Sequence, residues 1–368
     1  MTHSPLSRLS MRRARDGKGS AFRERDAVLE TGSPRIGSGR GSGQKEGSSL
    51  GPGFVLAPWV ILVAAFAGGC SRTAGATAAV EIGRLGATLG KFQHPRAIAV
   101  NPKSGRVYVA DRSGRIQLFE AGGAPVLEWR MPEWEKGQPV GLAVEDDGSL
   151  LVNDSHYNRI LRYSADGSRI LASWGAEGKG PGQFTFGRDV VVDSEGCVYA
   201  GDYGGLNDRI QKFTRRGEFL LEWGRCGDGP GEFHRPQGMA IERRGSAEHL
   251  LVADCANHRV QRFTREGAWV SSFGKIGSGP GEMRYPNGIA IGLDGAIYVS
   301  EWGNNRVQRF DSDGRSEGVW GAPGRAPGEL STPWEIAAGP DGTLYVADYG
   351  NHRVQAFRWA GGTIALRR

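Results

Sequence analysis

Residues 344–357 read LYVADYGNHRVQAF: an apolar run that ends in Asp348, a polar turn, Arg353 and a second apolar run. The same frame recurs five times upstream. Its acidic residue falls at Asp111, Asp154, Asp202, Asp254, Glu301 and Asp348. The steps between these positions are 43, 48, 52, 47 and 47 residues. A period in this range, built from short strands and turns, is typical of propeller blades.

Each repeat contains four short apolar segments. In residues 219–263 they are FLLEWG, QGMAIE, LLVAD and RVQRF, separated by a Gly/Pro loop and tight turns. Apolar and polar residues alternate in the outer segments, which predicts β-strands. We therefore expect four strands in each repeat.

The repeated motif resembles the NHL repeat. It joins an apolar strand ending in Asp to an Asn-X-Arg-Val-Gln segment and a Phe, and a Pro-X-Gly-Ile-Ala segment precedes it. Six copies cover nearly all of the chain after residue 79. The resemblance implies an all-β fold, a six-bladed β-propeller of four-stranded NHL-type blades over residues 79–368. It implies little about function, because such propellers host many activities.

The ring of blades needs a closing strand. Residues 80–95, VEIGRLGATLGKFQHP, align without gaps to residues 221–236, LEWGRCGDGPGEFHRP. Residues 79–83 therefore resemble the outer strand of a blade, detached from its own repeat. Residues 363–366 are the alternative. We expect the N-terminal strand to close the last blade, which would leave few free strand edges.

The chain before the repeats has a different composition. Residues 1–53 are rich in Arg, Gly and Ser, which predicts a disordered basic leader. A translation start placed too far upstream would explain its length. Residues 54–70 contain FVLAPWVILVAAFA, a charge-free run shorter than the ~20 residues of a spanning helix. Its length suits the core of a secretory signal.

The signal-like run is followed by Gly-Gly-Cys, which resembles a bacterial lipoprotein signal with Cys70 as the lipidated residue. Ala67 departs from that pattern, which usually has Leu there, and ordinary signal cleavage nearby is the alternative. Residues 71–78 would then form a short tether. The expected location is periplasmic or outer-surface, with membrane contact only through a lipid anchor at Cys70.

The charge and the cysteines exclude some classes of function. Residues 1–70 hold ten Lys/Arg and five Asp/Glu, which leaves 36 basic and 35 acidic residues in 71–368. A near-neutral repeat domain gives no electrostatic support for nucleic-acid binding. No cysteine lies at zinc-binding spacing. Cys197 opens a strand and is expected in the core, whereas Cys226 and Cys255 lie in turns of one repeat and could pair.

Features that every repeat shares are expected to be structural. An arginine follows the repeated acidic residue by four to seven positions, and such a pair can bridge a turn and a strand. A metal-binding ring of these carboxylates is the alternative. The GxGPGEF loops at residues 178–184, 227–233 and 277–283 could hold phosphate, but no helix follows them. We expect blade-to-blade turns whose last residue packs between sheets.

Positions where the repeat varies point to the functional site. The innermost strands line the channel, and their second position is usually Gly. Asp189 and Glu335 replace it in repeats three and six, which face each other across a six-fold ring. Unlike side chains at the same rim predict a polar ligand cup. Its members are Arg96, Arg188, Asp189, Gln237, Asn287, Trp334 and Glu335. Ordinary solvation of the channel mouth is the alternative.

Two further resemblances concern metals. Some NHL-like propellers are copper- or zinc-dependent amidating lyases, with His directly after the Pro of several blades. The matching positions here hold Arg96, Val140, Gln237, Asn287 and Trp334, so that activity does not carry over. Lactonase-like propellers use a Glu/Asn/Asp calcium set in the channel. The residues with that chemistry, and therefore the candidate calcium ligands, are Asp189, Asn287 and Glu335.

Aromatic residues follow the repeated acidic residue in several turns. They are Tyr157, Tyr203, Trp302 and Tyr349. Aromatics at turn tips occur in interaction surfaces and as packing caps over a neighbouring blade. Both interpretations stay open.

We expect a non-catalytic, monomeric binding scaffold of the cell envelope that holds a protein, peptide or glycan, without a cofactor. The alternative is a calcium-dependent lactonase or lyase in the channel, with Glu335, Asp189 and Arg96 as its catalytic residues. RNA binding is disfavoured by the neutral repeat domain and the predicted export.

Overall fold

The computed structural model describes residues 80–136, 138–204 and 206–359. The predicted leader, signal segment, Cys70 and tether lie outside the described residues. The described chain forms 24 strands in six antiparallel sheets of four strands each. Within these three ranges, no helix is long and apolar enough to span a membrane.

The sheets are numbered as blades 1 to 6. Blades 1 and 2 contain β2 (Pro95–Val100), β3 (Val107–Asp111), β4 (Arg115–Phe119), β5 (Pro125–Arg130), β6 (Pro139–Val144), β7 (Leu150–Asp154), β8 (Arg159–Tyr163) and β9 (Ile170–Trp174). Blades 3 and 4 contain β10 (Phe186–Val192), β11 (Val198–Tyr203), β12 (Arg209–Phe213), β13 (Phe219–Trp223), β14 (Pro236–Arg244), β15 (Ala247–Asp254), β16 (Arg259–Thr264) and β17 (Trp269–Phe273). Blades 5 and 6 contain β18 (Pro286–Ile291), β19 (Ile297–Glu301), β20 (Arg306–Phe310), β21 (Ser316–Trp320), β22 (Pro333–Ala338), β23 (Thr343–Asp348), β24 (Arg353–Arg358) and β1 (Val80–Ile82). Short 3-10 turns follow β7, β15 and β23 at Ser155–Tyr157, Cys255–Asn257 and Tyr349–Asn351.

The innermost strands of the six blades contact one another in ring order. β2, β6, β10, β14, β18 and β22 are neighbours in that sequence, and β22 contacts β2. The predicted all-β, six-bladed propeller is confirmed.

The apolar core is divided into six clusters, one between each pair of neighbouring blades. Phe184, from the loop that enters blade 3, packs with Leu151 of blade 2 and Phe213 of blade 3. Phe233 and Met283 occupy the equivalent positions at the next two interfaces. The predicted packing role of the GxGPGEF loops is confirmed, and each such buried side chain contributes roughly 2–3 kcal/mol.

The N-terminal strand closes the ring. β1 pairs with β24 in antiparallel register, with Ile82 opposite Val354. Ile82 is buried in the same cluster as Phe92, the loop residue that enters blade 1. The predicted closure by the N-terminal strand is confirmed.

The repeated acidic residue and arginine form an ion pair in every blade. In blade 4, the Nε atom of Arg259 donates to Asp254 at 2.8 Å, and its Nη2 atom donates to the carbonyls of Gly229 and Glu232. The backbone N–H of His234 also donates to Asp254, at 2.8 Å. The pair therefore ties two strands to the loop that enters the blade. The structural interpretation is confirmed.

The N–H groups of the glycine loops already have acceptors. The Glu232 carboxylate accepts from the Gly229 N–H at 3.0 Å, and Glu282 accepts from Gly279 at 2.9 Å. In the loop at residues 178–184, the side-chain oxygen of Gln183 accepts from the Gly180 N–H in the same way, at 2.9 Å. Each loop therefore uses its own side chain as an acceptor for its N–H groups, which leaves little capacity for a phosphate.

Candidate functional site

The upper face is defined here as the face on which the innermost strands begin. The start of each innermost strand pairs with the acidic residue that ends the second strand, as Pro95 pairs with Asp111. The turn after that acidic residue therefore lies on the same face. All seven predicted cup residues, with Val140 and Gly238, line one cavity at the mouth of the channel. The structure thus brings the predicted site together.

The cavity is smaller than the open cup that we expected. Its volume is about 10 Å³, enough for about one water molecule. The side chains of the rim fill the mouth themselves. A larger ligand would rest on the mouth and insert only a small group.

Glycines in the innermost strands allow the blades to approach closely. A Cβ added at Gly141 would lie 2.6 Å from the Arg188 carbonyl oxygen, and one at Gly238 would lie 2.4 Å from the Asn287 carbonyl oxygen. At Gly288 the added Cβ would meet the Oε1 atom of Glu335 at 2.4 Å. The ring around the channel therefore requires glycine at these three positions.

The two carboxyl groups at the channel are bonded to backbone amides. Asp189 accepts from its neighbour Val190 at 2.8 Å and from Met239 of blade 4 at 2.7 Å. Glu335 accepts from Ile336 at 3.1 Å. Only 6% of Asp189 and 8% of Glu335 is exposed. Both groups are therefore held by the backbone and turned away from bulk water.

Burial changes the protonation of this pair. Loss of solvation raises the pKa of Asp189 to about 7, although its two N–H partners oppose the shift. Loss of solvation, and then the charge of Asp189, raise the pKa of Glu335 well above its usual value. At neutral pH the pair therefore holds at least part of its protons. A carboxyl group with a pKa near 7 can exchange a proton at neutral pH.

Two arginines and three aromatic rings lie above the carboxyl pair. The Cζ atom of Arg96 lies 4.6 Å from the centroid of the Trp334 ring, and that of Arg188 lies 4.5 Å from Tyr203. Trp334 stacks on Tyr349 with centroids 5.1 Å apart and ring planes at 15°. Cation–π contacts of this kind hold a guanidinium in a fixed plane.

Sequence reasoning placed Tyr203 and Tyr349 among the turn aromatics and missed their contribution to this site. The signal was available, because their turns share a face with the starts of the innermost strands. Gln138, which accepts a hydrogen bond from Arg96, was also missed. The other turn aromatics lie elsewhere: Trp302 packs on Tyr285, and Tyr157 lies under Arg159.

The channel residues do not fit calcium. Calcium takes six to eight oxygen ligands, whereas the acidic and amide side chains at this mouth are Asp189, Gln237, Asn287 and Glu335. Both oxygens of Asp189 already accept N–H groups, and N–H dipoles and two guanidinium groups repel a cation. Within the described ranges, no group of three or more His, Cys, Asp or Glu residues could hold a metal ion.

The histidines of the upper face link neighbouring blades. The Nδ1 atom of His258 accepts from the Tyr285 N–H at 3.1 Å, and that of His352 accepts from the His94 N–H at 3.1 Å. Asn305 fills the equivalent position in blade 5 and accepts from Thr332 at 2.6 Å. These histidines therefore act as hydrogen-bond acceptors of the fold.

The three cysteines of the described chain are free thiols. Cys226 and Cys255, whose pairing the sequence left open, do not form a disulfide. Cys197 is half-buried and packs against the core between blades 3 and 4, as expected.

The fold and the channel define a six-bladed β-propeller with a polar, arginine-rich mouth. The NHL repeat family model matches residues 283–310 and 330–357, which lie in blades 5 and 6. No curated protein sequence matches the chain.

Solved structures share the fold at low sequence identity. A streptogramin B lyase is 17% identical, with 76% of this chain and 97% of that chain covered and a TM-score of 0.55. A protein of unknown function from Bacteroides thetaiotaomicron is 17% identical, with 76% and 75% covered and a TM-score of 0.60. A gluconolactonase from Xanthomonas campestris is 15% identical, with 79% and 99% covered and a TM-score of 0.56. Identities this low show the fold alone.

Proposed function

We propose that this protein is an exported, non-catalytic binding propeller of the cell envelope that holds a protein, peptide or glycan at the channel mouth of its upper face. The observation that carries the proposal is the convergence of the repeat's variable residues on one mouth. The fold uses the same ion pair in every blade, whereas the mouth differs from blade to blade.

Two features favour binding over chemistry. The carboxyl groups of Asp189 and Glu335 are bonded to backbone amides beneath the rim, which restricts their contact with a substrate. The cavity of about 10 Å³ is too small to enclose a reacting group together with a nucleophile. The predicted signal segment and Cys70 support the proposed location outside the cytoplasm, on a short tether.

A second candidate function is supported by one observation. A buried carboxyl group with a pKa near 7 beside two arginines has the properties of a general acid or base. A lyase or lactonase reaction would need such a group, and a streptogramin B lyase and a gluconolactonase share the fold. Metal assistance is not part of this candidate, because the donors do not fit calcium.

One experiment separates the two candidates. The full-length protein is incubated with a panel of peptides, glycan fragments, lactones and esters, while thermal unfolding reports binding and mass spectrometry reports products. We expect one ligand class to raise the unfolding temperature and to be recovered unchanged.

A matched pair of variants locates the binding site. Trp334→Ala should abolish the thermal shift, whereas Trp302→Ala, on the same face but packed against Tyr285, should keep it. Product formation that disappears in Asp189→Asn or Glu335→Gln would instead establish the enzyme and end the binding proposal.

A further inference from the structure

Arg96 differs from the other buried arginines of the fold. Within the described ranges, the buried arginines are Arg96, Arg115, Arg209, Arg262 and Arg353. Four of them form a salt bridge with a carboxylate, and Arg96 forms none. A buried charge is normally paired, because removing it from water is costly. Among the described residues, the guanidinium of Arg96 faces the rings of Trp334 and Tyr349 and has no carboxylate partner, so its charge lacks a counter-anion.

Arg188 is a second unpaired guanidinium at the same place. Its Cζ atom lies 5.9 Å from the Trp334 centroid, and the Cζ atom of Arg96 lies 4.6 Å from that same ring. Arg188 forms no salt bridge either, and the nearby carboxyl groups are occupied by backbone amides. Two like charges thus share one indole, which favours an anion between them.

Hydrogen-bond accounting leads to the same conclusion. A guanidinium has five N–H donors. Arg96 donates to the side chains of Gln138 and Tyr349, and Arg188 donates to the Tyr203 hydroxyl at 2.5 Å. The Nε atoms of both arginines are buried and have no acceptor among the described residues. Most donors of this pair are unused within the described chain, so a group with several acceptor oxygens would satisfy them.

Two side-chain amides beside the arginines are also free. Gln237 is 6% exposed, and Asn287 is half-buried. Both line the cavity, and neither side chain makes a hydrogen bond to any described residue. An amide both donates and accepts, so this pair suits the main chain of a peptide.

We propose that the channel mouth captures the C-terminal carboxylate of a peptide, with Arg96 and Arg188 on the carboxylate and Gln237 and Asn287 on the last peptide group. This inference rests on the binding function proposed above. The planar guanidinium fork matches a carboxylate. The small cavity admits an end group only, so the rest of the ligand lies on the upper face.

The aromatic rings favour a peptide over an acidic sugar. Sugars bind proteins by stacking on bare aromatic faces, but Trp334 is covered by Arg96 and by Tyr349, and Tyr203 by Arg188 and Arg235. The rings hold the arginines in place and leave little open face. An acidic glycan is therefore an alternative outcome of the test.

The test compares matched ligands on the wild-type full-length protein. The probes are twenty N-acetyl-Ala-Xaa dipeptides with a free carboxylate and the same dipeptides as carboxamides, measured by calorimetry. For at least one Xaa we expect the carboxylate to bind about 10- to 100-fold more tightly, the usual range for hydrogen bonds to a charged group. Equal affinity of every carboxylate and its carboxamide would overturn the inference.

Two further arms test the kind of anion. Glucuronate and galacturonate that bind as tightly as the best dipeptide would overturn the peptide in favour of an acidic glycan. Inorganic phosphate or sulfate that binds as tightly would show an adventitious anion only and would equally overturn it.

Variants locate the carboxylate. Arg188→Gln should reduce dipeptide affinity at least tenfold and bring it near that of the carboxamide. Arg284→Gln, an exposed arginine of the same face, should leave the affinity unchanged. The wild-type comparison of carboxylate and carboxamide needs no variant, so it decides the matter even where a variant fails to fold.

The failure of this inference differs from failure of the proposed function. If carboxylates and carboxamides bind equally and Trp334→Ala abolishes the binding of both, the carboxylate site is wrong. The proposal of a binding propeller would still hold. Conversion of a ligand to product would remove the binding propeller itself.

Discussion

The close approach of the blades around the channel can be tested with the substitution Gly238→Ala. The added Cβ would lie 2.4 Å from the Asn287 carbonyl oxygen and 2.7 Å from the Gly288 Cα atom. Favourable carbon contacts are about 3.5–4.0 Å long. Both contacting atoms belong to the backbone of blade 5, so neither can rotate away. One of the two blades must move.

Overpacking of this kind costs about 1–3 kcal/mol, and the backbone contacts place Gly238→Ala near 3 kcal/mol. For a domain of this size each kcal/mol lowers the unfolding temperature by about 2 °C, so we expect a decrease of about 6 °C. Calorimetry of the full-length protein measures it. The control is Gly122→Ala, where the added Cβ has no neighbour within 4 Å. If the two variants unfold at the same temperature, the close packing of the ring is wrong.

Four further outcomes are expected. Calcium or a chelator should leave the unfolding temperature unchanged; stoichiometric calcium in the purified protein would contradict this. Because the pKa of Asp189 is raised to about 7 in the folded state, stability should fall as the pH rises from about 4 to 7, by up to about 4 kcal/mol. Urea unfolding of Asp189→Asn should show a smaller slope, and Glu335, whose pKa burial also raises, should supply the part that remains. Burial lowers the pKa of His258, so the unfolded chain takes up the proton first and stability should fall as the pH drops below 6.5. The variant His258→Asn places the residue of the equivalent position, Asn305, in blade 4. In the same urea assay it should be as stable as the wild type at pH 7 and should lose less stability at pH 5. Arg259→Met leaves a buried carboxylate unpaired and should cost about 3 kcal/mol in urea unfolding, whereas Arg225→Met at an exposed pair should cost under about 1 kcal/mol, and equal losses would contradict the structural role of the repeated ion pair.

Much of the fold could be predicted because the same pattern of strands and turns recurs six times in the sequence. The spacing of the acidic residues gives the blade period, and the match between residues 80–95 and 221–236 gives the closing strand. The roles of the repeated pairs also followed, since a feature present in every blade serves the blade. The blade period and the repeated ion pairs depend on residues that are close together in the sequence, so the sequence alone can predict them.

The members of the candidate site could be predicted for a related reason. Register places one variable position of each innermost strand at the same height of the channel, so Asp189 and Glu335 meet without any knowledge of distances. The partners of these carboxyl groups could not be predicted. The N–H of Met239, in blade 4, donates to Asp189 of blade 3, and a contact between two blades is not visible in the sequence of either one. The calcium hypothesis assumed free carboxylate oxygens, and the structure shows that backbone amides occupy them.

The volume of the cavity at the mouth could not be predicted from the sequence either. A list of side chains gives their chemistry but not the space between them. The Arg96 guanidinium lies over the Trp334 ring, 4.6 Å from its centroid, and this contact holds it at the edge of the small cavity. The same stacking that removes the open cup thus prepares a planar anion site.

Stability and function use different residues of the same blade. The ion pairs recur in all six blades, and the contacts of the arginine with the entering loop recur in the described part of every blade except blade 2. These contacts hold the strands in register, so substitutions there act on folding. The mouth residues Arg96, Arg188, Gln237 and Asn287 contribute few of those contacts, and two of them make no side-chain hydrogen bond to the described chain. The amides of Gln237 and Asn287 line the cavity and make no side-chain hydrogen bond to the described residues. A ligand would supply partners for them, which is the physical reason to look for the partner of this protein at the channel mouth.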